Sequence, residues 1–518
     1  MAGPLSLLGH MPTYQSLKPT KSLALAAALA LATFFTYVTS LQLHRQQWDD
    51  AFITYRTAKN FWLGHGAVYN LGSDVKTCTS LLNPVLASLA FSASDDEAAI
   101  QMLDVYDLAL YIVSLWLAVL LAVHIIERVT SRPLHWLWPP LILLFFASRQ
   151  AIMLGMETQL YMVFVLGSFY LYIVREKPVL GFAIGCLALF VRPDGILVPM
   201  SLFATALFVD REKIGPMVLI GLAMVGAYLG ITYFAFHEIL PHTAAVKSLL
   251  FPDRWVEIQR LYYLFIKPNL LETLPNFAIL LAAPMLATKG RHLAFLAWGV
   301  LYLMFFTATA TWWSPFGWYQ VPAIFYFQIL GAVSVGILAT HVSALLARGQ
   351  KAHWEIAARL GLVLFAIGFS GATYSKMSTP ATKKHIRQEA NIQYAKEIAQ
   401  FLKQNVPKSQ SVILEPLGII GFYSWPVTFK DWPGLTSKEV LKCVKEYPTS
   451  GEFFWRGQTS KELKYILERI PDIHYAITTK AMYDMIVQEK TVPKCKIVFE
   501  STPISPDFPP FFVILQLR

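Results

Sequence analysis

Eleven long apolar runs, more than any other feature, limit what this chain can fold into. They fall at 22–41, 105–126, 134–148, 157–174, 178–192, 194–209, 214–236, 270–288, 293–311, 319–340 and 356–375. A hydrocarbon core ~30 Å thick needs ~20 helical residues, and in lipid a helix satisfies its own backbone hydrogen bonds. The runs at 134–148 and 178–192 are short, so they are expected to begin in their flanking loops or to form paired, broken helices. Of the 518 residues, 15% are charged and 55% hydrophobic, where a soluble protein carries about a quarter charged. The expected fold is mainly α: a polytopic membrane protein of about eleven spans.

The links between the runs orient it. Lys18 and Lys21 precede the first run, and Arg128 with Arg132, Arg175 with Lys177, Arg211 with Lys213, Lys289 with Arg291, and Arg348 with Lys351 occupy alternate links. If every run crosses, all of these lie on one face, which the positive-inside bias assigns to the cytoplasm. The net charge of +10 is spread over these links and forms no groove-binding patch, which argues against nucleic acid. The first run has a basic start but exceeds the usual signal-peptide apolar length, so it is expected to be retained as an anchor. The localisation that follows is a multi-pass plasma (inner) membrane protein.

Residues 1–375 are expected to form the membrane domain, with a first outer loop at 42–104. Over 376–518 the apolar runs shorten to strand length, as in SVILEP, HYAITT and KIVFES, and interleave with helical patterns such as SKELKYILERI. That alternation suggests a small α/β domain, extracytoplasmic by the same crossing count. Cys443 and Cys495 both fall there and could pair in an oxidising compartment.

Ionisable groups crowd the outer ends of the spans. Two adjacent carboxylates, Asp49 and Asp50, follow the first run and open WDDAFITYRTAKNFWLGHGAVYN, which reads as an amphipathic interfacial helix broken by a glycine turn. Asn83-Pro84 starts a second short helix. Aspartate is a preferred helix N-cap, so one of the pair could cap while the other faces a cavity. GMETQ presents Glu157, VRPDG presents Arg192 and Asp194, and HEILPHTAAVKS presents His237, Glu238, His242 and Lys247. Singly, such residues are commonly interfacial anchors, and Arg192 with Asp194 could be a structural salt bridge. Together, carboxylates and cations on one membrane face suit an anionic, lipid-tethered substrate. Trp313 and Tyr319, in TWWSPFGWYQ, fit an interfacial aromatic belt or sugar stacking.

The run DDAFITYRTAKNFWLGHGAVYN, followed in order by GMET, RPDG, LPHTAAVK and EPLGIIGFYS, resembles the GT-C superfamily of membrane glycosyltransferases, and within it the bacterial arabinofuranosyltransferases of cell-envelope glycans. The similarity spans nearly the whole chain. Lys76-Thr77-Cys78-Thr79 departs from the Glu-Gly-Thr-like stretch of such relatives, and Leu240-Pro241-His242-Thr243 from their LPNT. The resemblance implies inverting transfer of a sugar, arabinofuranose in the narrower reading, from a polyprenyl-phosphate donor to a hydroxyl of a glycan or glycoconjugate. Another pentose or hexose, a pilin or lipopolysaccharide acceptor, and a lipid-linked sugar flippase are the alternatives.

In that chemistry the leaving phosphate needs no general acid, so one carboxylate base suffices: Asp49 is taken as that base, with Asp50 positioning the acceptor or a metal, and the two roles could be exchanged. Arg192, His242, Lys247 and, more weakly, Arg56 are the candidates for the phosphate charge. Glu157, Asp194, Asn83, Trp313 and Tyr319 are candidates for sugar and acceptor. No cofactor is required, although Asp49 and Asp50 could share a divalent Mg, Mn or Ca ion.

Overall fold

A computed structural model describes residues 49–131, 155–238, 290–308, 317–319, 321–348, 381–414, 417–447, 460–501 and 512–518, with a few isolated positions between. The apolar runs at 22–41, 134–148 and 356–375, and most of 270–288, lie outside the described residues. Each of the other seven is a helix. Four helical segments among the described residues are long and apolar enough to cross a membrane, and the chain is a membrane protein.

The first helix, α1 (Asp49–Trp62), carries two acids in its first turn and Lys59 in its last, the arrangement its dipole favours. The turn that stops it contains Gly64 and Gly66, both at positive φ. After α2 (Leu82–Ala87), Asp95 caps α3 (Asp96–Thr130) by accepting from the Ala98 N–H at 2.8 Å. Then come α4 (Thr158–Phe169), extended by a π turn to Val174, and α5 (Pro178–Val191) with proline in its first turn. A short 3₁₀ turn at Pro193–Ile196 leads into α6 (Leu197–Val209) and α7 (Ile214–Phe236), then α8 (Leu293–Ala308) and α9 (Val321–Arg348).

The links predicted to share the basic face do meet. Arg291 binds Asp210 at 2.5 Å and Glu176 at 3.3 Å, and Glu176 also takes Arg128 at 3.1 Å. Ends of α3, α4, α6 and α8 therefore lie together, opposite the end that holds Asp49, Glu157, Arg192 and Tyr319.

The C-terminal portion begins with α10 (Ala381–Asn405) and builds a five-stranded mixed sheet. Its elements are β1 (Ser411–Leu414), α11 (Gly418–Tyr423), β2 (Thr428–Asp431), α12 (Lys438–Glu446), α13 (Ser460–Arg469), β3 (Ile473–Thr478), α14 (Lys480–Glu489), β4 (Lys496–Glu500) and β5 (Val513–Gln516). The strand order is β2-β1-β3-β5-β4, parallel across the first three and antiparallel thereafter. Cys443 and Cys495 pack on one face of this sheet as free thiols, so the considered disulfide is not formed. Each sits there as a small apolar side chain.

One expectation is corrected. Helix α1 does not lie on a lipid surface. Ala51, Phe52, Tyr55, Arg56, Thr57, Ala58 and Asn60 are all buried, because α1 is the seam between the membrane helices and the α/β portion. A single apolar cluster runs from Tyr161 and Val165 through Phe52 and Tyr55 to Ile420 and Phe422.

Candidate functional site

The helical period separates the two aspartates of α1. Asp49 shares a face with Phe52 and Arg56 (i+3, i+7), whereas Asp50 shares one with Thr54 and Thr57 (i+4, i+7). The two faces do different things.

The Asp49 face holds the α/β portion. Asp49 accepts from the Gly418 N–H at 2.8 Å and the Ile419 N–H at 2.9 Å, using both oxygens on the exposed amides that open α11. Burial raises the Asp49 carboxyl above its ordinary pKa, and these two N–H groups work against that rise. A Cβ on Gly418 would stand 1.7 Å from the Asp49 carbonyl oxygen, so EPLGIIGFYS needs its first glycine for this approach. Phe52 meets Phe422 edge-on at 5.5 Å. Arg56 is fully buried, donating to the carbonyls of Tyr69 (2.8 Å), Gly421 and Val427 (2.6 Å), between the rings of Tyr69 and Phe429. Its guanidinium is spent on backbone and is not turned to a ligand. Asn70 completes the joint by exchanging two hydrogen bonds with Phe429, at 2.6 and 3.0 Å.

The Asp50 face looks the other way. Thr57 accepts from the Cys78 thiol at 3.2 Å, which places the loop 75–81 over this side of α1. Thr79 reaches Thr243 at 3.4 Å, and the Leu81 N–H bonds the Phe190 carbonyl, so the same loop is stitched to the His242 segment and to the end of α5. Glu157 is buried and its charge acts on both Cys78 and Arg192. Its loop is seated by Gly155, where a Cβ would come within 2.2 Å of Ala51 and 2.6 Å of the Tyr55 hydroxyl, and whose N–H bonds Asp107.

Sequence reasoning overlooked the residue that dominates this side. Lys76 is 3% exposed, and its ammonium has no hydrogen-bond partner among the described residues. It lies over the Tyr228 ring at 5.3 Å. Burial pulls its pKa down to about 8, against the opposing pull of Cys78 and Glu238. A buried ammonium with no hydrogen-bond partner among the described residues is costly, and the Glu238 charge offsets only part of that cost, so the position suits a further anionic group. The signal was present in the sequence: Lys76 stands where the resemblance expects a carboxylate.

Beside it, Glu238, His242, Lys438 and Asp74 alternate in charge. His242 Nε2 contacts the Gly434 carbonyl at 2.7 Å and Nδ1 faces the Glu238 carboxylate at 3.4 Å. Burial lowers the imidazole pKa, but Glu238, Gly434 and Asp431 outweigh it and hold His242 above its ordinary value. Both ring partners are acceptors, which fits an imidazolium donating from both nitrogens. Lys438 bridges Asp74 (2.8 Å) and Glu238 (3.5 Å).

Arg192 and Asp194 form a buried bidentate pair at 2.9 and 3.0 Å, with Arg192 held between the rings of Tyr161 and Tyr319 and near the Trp318 carbonyl. Gly195 permits the turn, since a Cβ there would stand 2.2 Å from the Ala188 carbonyl oxygen. The charge of Arg192 is therefore already matched, and Tyr319 packs on it. Asn83 is buried and turned to α3, where the Tyr106 hydroxyl donates to its amide at 3.4 Å. Lys247 and Trp313 lie outside the described residues. As for a divalent ion, both oxygens of Asp49 are already bonded to N–H donors, and no group of three His, Cys, Asp or Glu among the described residues is placed to hold one.

Comparison with known proteins adds the fold. Residues 384–505 match a domain of unknown function, DUF8728. No curated protein sequence is significantly similar to the chain. Among solved structures, apo ArnT from Cupriavidus metallidurans aligns over 96% of this chain and 98% of its own, with 12% identity and a TM-score of 0.56. The same protein bound to undecaprenyl phosphate aligns over the same shares at 13% identity, with a TM-score of 0.48. An Archaeoglobus fulgidus oligosaccharyltransferase tethered with an acceptor peptide aligns over 91% of this chain and 71% of its own, at 12% identity and a TM-score of 0.53. The chain shares its fold with apo ArnT and with that oligosaccharyltransferase.

Proposed function

We propose that this chain is an inverting glycosyltransferase that takes a sugar, arabinofuranose, from a polyprenyl-phosphate donor and passes it to a hydroxyl of a cell-envelope glycan on the outer face of the plasma membrane. The observation that carries the reading is the buried, unmatched ammonium of Lys76 on the same side of the molecule as Asp50 and Glu157. The GT-C fold supports it. The choice of arabinofuranose rests on the sequence resemblance.

In this mechanism Lys76 holds the donor phosphate where little water reaches it, and the protonated His242 braces the same wall. Asp50 is the base, because both oxygens of Asp49 serve α11. The acceptor oxygen attacks the anomeric carbon from the side opposite the phosphate while its proton passes to the Asp50 carboxylate. The carbon–oxygen bond to phosphate breaks with its electron pair going to the phosphate, and Lys76 stabilises the charge that appears there. General base catalysis of this kind is worth ~10²–10⁴ in rate.

The test is reconstitution of the full chain in lipid nanodiscs with prenyl-phosphoryl arabinofuranose and an arabinan oligosaccharide acceptor. Transfer is expected from the parent and lost in Asp50→Asn with donor binding retained. Full transfer by Asp50→Asn would refute the assignment of the base, and absence of prenyl phosphate binding would refute the donor class.

A further inference from the structure

Glu238 presents a second unmatched group beside Lys76. Its Oε1 is shared by His242 at 3.4 Å and Lys438 at 3.5 Å, while its Oε2 is buried with no hydrogen-bond partner among the described residues. The charges of Glu238 and Lys76 act on one another, yet no hydrogen bond joins them. Lys76 lies over the Tyr228 ring, and Glu238 is engaged by His242 and by Lys438, which also binds Asp74 two residues before Lys76 and so brings Glu238 to this loop. A donor without an acceptor and an acceptor without a donor are thus left in one buried region. A ligand that filled it would offer an anion to one and a hydrogen-bond donor to the other.

A glycosyl phosphate has that pair of groups at its centre. A carboxylate can only accept and is repelled by phosphate, so Glu238 must take an O–H from the sugar. The sugar O–H nearest the phosphate is the one on the carbon next to the anomeric centre. We infer that Glu238 Oε2 accepts a hydrogen bond from that hydroxyl, so that Lys76 and Glu238 together read the phosphate–sugar junction of the donor. The inference rests on the donor reading above. It assigns Glu238 to selection among donors, a role that no chemical step requires of it. Sites built to bond a hydroxyl reject analogues that lack it, by up to ~10⁴-fold or more when fully buried. The Glu238 side chain retains 20% exposure, so discrimination of about 10–100-fold is expected.

The experiment measures Kd for three probes on the full chain in nanodiscs: prenyl phosphate, prenyl-phosphoryl arabinofuranose, and its 2-deoxy counterpart. The parent should bind the hydroxylated sugar about 10–100-fold tighter than the deoxy probe. Glu238→Gln should bring that ratio near unity and leave prenyl phosphate bound. Lys438→Gln, which breaks the same ion pair but keeps Oε2, should preserve the ratio and so controls for local disruption. Lys76→Met should weaken all three probes together. A ratio unchanged in Glu238→Gln, or absent in the parent, overturns the inference while leaving the donor reading intact. Unchanged prenyl phosphate binding in Lys76→Met overturns the donor reading itself.

Discussion

Replacing Lys76 by Met should stabilise the empty protein and disable it at once. The amine ordinarily titrates near 10.5, and burial lowers it to about 8 in the folded chain. Between those values the unfolded chain binds the proton more tightly than the folded one, so stability rises with pH from about 8 to about 10.5. Below pH 8 the folded protein bears the full cost of a desolvated ammonium. A difference of about 2.5 pKa units, at 1.36 kcal/mol each, makes that cost about 3 kcal/mol at pH 7. Met fills similar volume without the charge. Lys76→Met should therefore gain about 2–3 kcal/mol at pH 7, with the gain fading as pH approaches 10.5. The assay is thermal unfolding of both proteins in micelles at pH 7 and pH 10, with and without prenyl phosphate. The anion should raise the midpoint of the parent by mass action and leave that of Lys76→Met unmoved. A variant less stable than the parent at pH 7, or an advantage that is the same at both pH values, would refute the description of Lys76 as an unmatched buried charge.

Other outcomes follow from the same geometry. Asp50→Asn should cut transfer ~10²–10⁴-fold without loosening the α/β portion, whereas Asp49→Asn should expose the 418–423 segment to limited proteolysis. Arg56→Met takes the donor from the Gly421 and Val427 carbonyls, while Tyr69 keeps that of Asn60, and should cost about 2 kcal/mol, read as a lowered unfolding midpoint, with Arg56→Lys recovering part of it. Arg192→Leu should cost ~3–5 kcal/mol by stranding Asp194, and adding Asp194→Leu should restore much of the folded yield if the pair is structural. The bond from His242 to Glu238 is favoured by protonation. His242 has a raised folded pKa, so its contribution is complete below pH 6.5 and lost as pH rises through the folded value, measurable as a pH-dependent Tm absent in His242→Asn.

What the sequence disclosed follows from how far each signal reaches along the chain. Apolar runs and alternating basic links are local properties, so seven helices and the shared face of the links that carry Arg128, Arg175, Arg211 and Arg291 were legible in advance, while the acids that join them, Glu176 and Asp210, were not singled out. Strands SVIL, IHYAIT and KIVFE were found by pattern, whereas Thr428–Asp431 and Val513–Gln516 were not singled out. The burial of α1 was not legible, because Arg56 and Asn60 mimic a solvated face. Besides Val68 and Tyr69 nearby, their partners lie hundreds of residues away, at Gly421, Val427 and Trp425. Arg192 likewise reads as a ligand until Asp194, two residues on, is seen to take both of its forks.

The adjacency of Asp49 and Asp50 can be understood as a consequence of that long-range joint. Consecutive residues on a helix point about 100° apart, so one acid pair can address two bodies from a single turn. Asp49 ties α1 to α11, and the Gly418 contact leaves no room for any side chain between them. Asp50 is then fixed in azimuth by a bond its neighbour makes. Docking the α/β portion thus sets the direction of the proposed base, and a slight rotation of α1 would move Thr57 and Cys78 with it. Asp49 would in that case act on catalysis through placement. The distinction is measurable: Asp49→Asn should lower kcat while the pH at which kcat is half-maximal stays with Asp50, whereas loss of the base itself would remove that inflection. If Asp49→Asn abolished the inflection and Asp50→Asn kept it, the two roles would have to be exchanged.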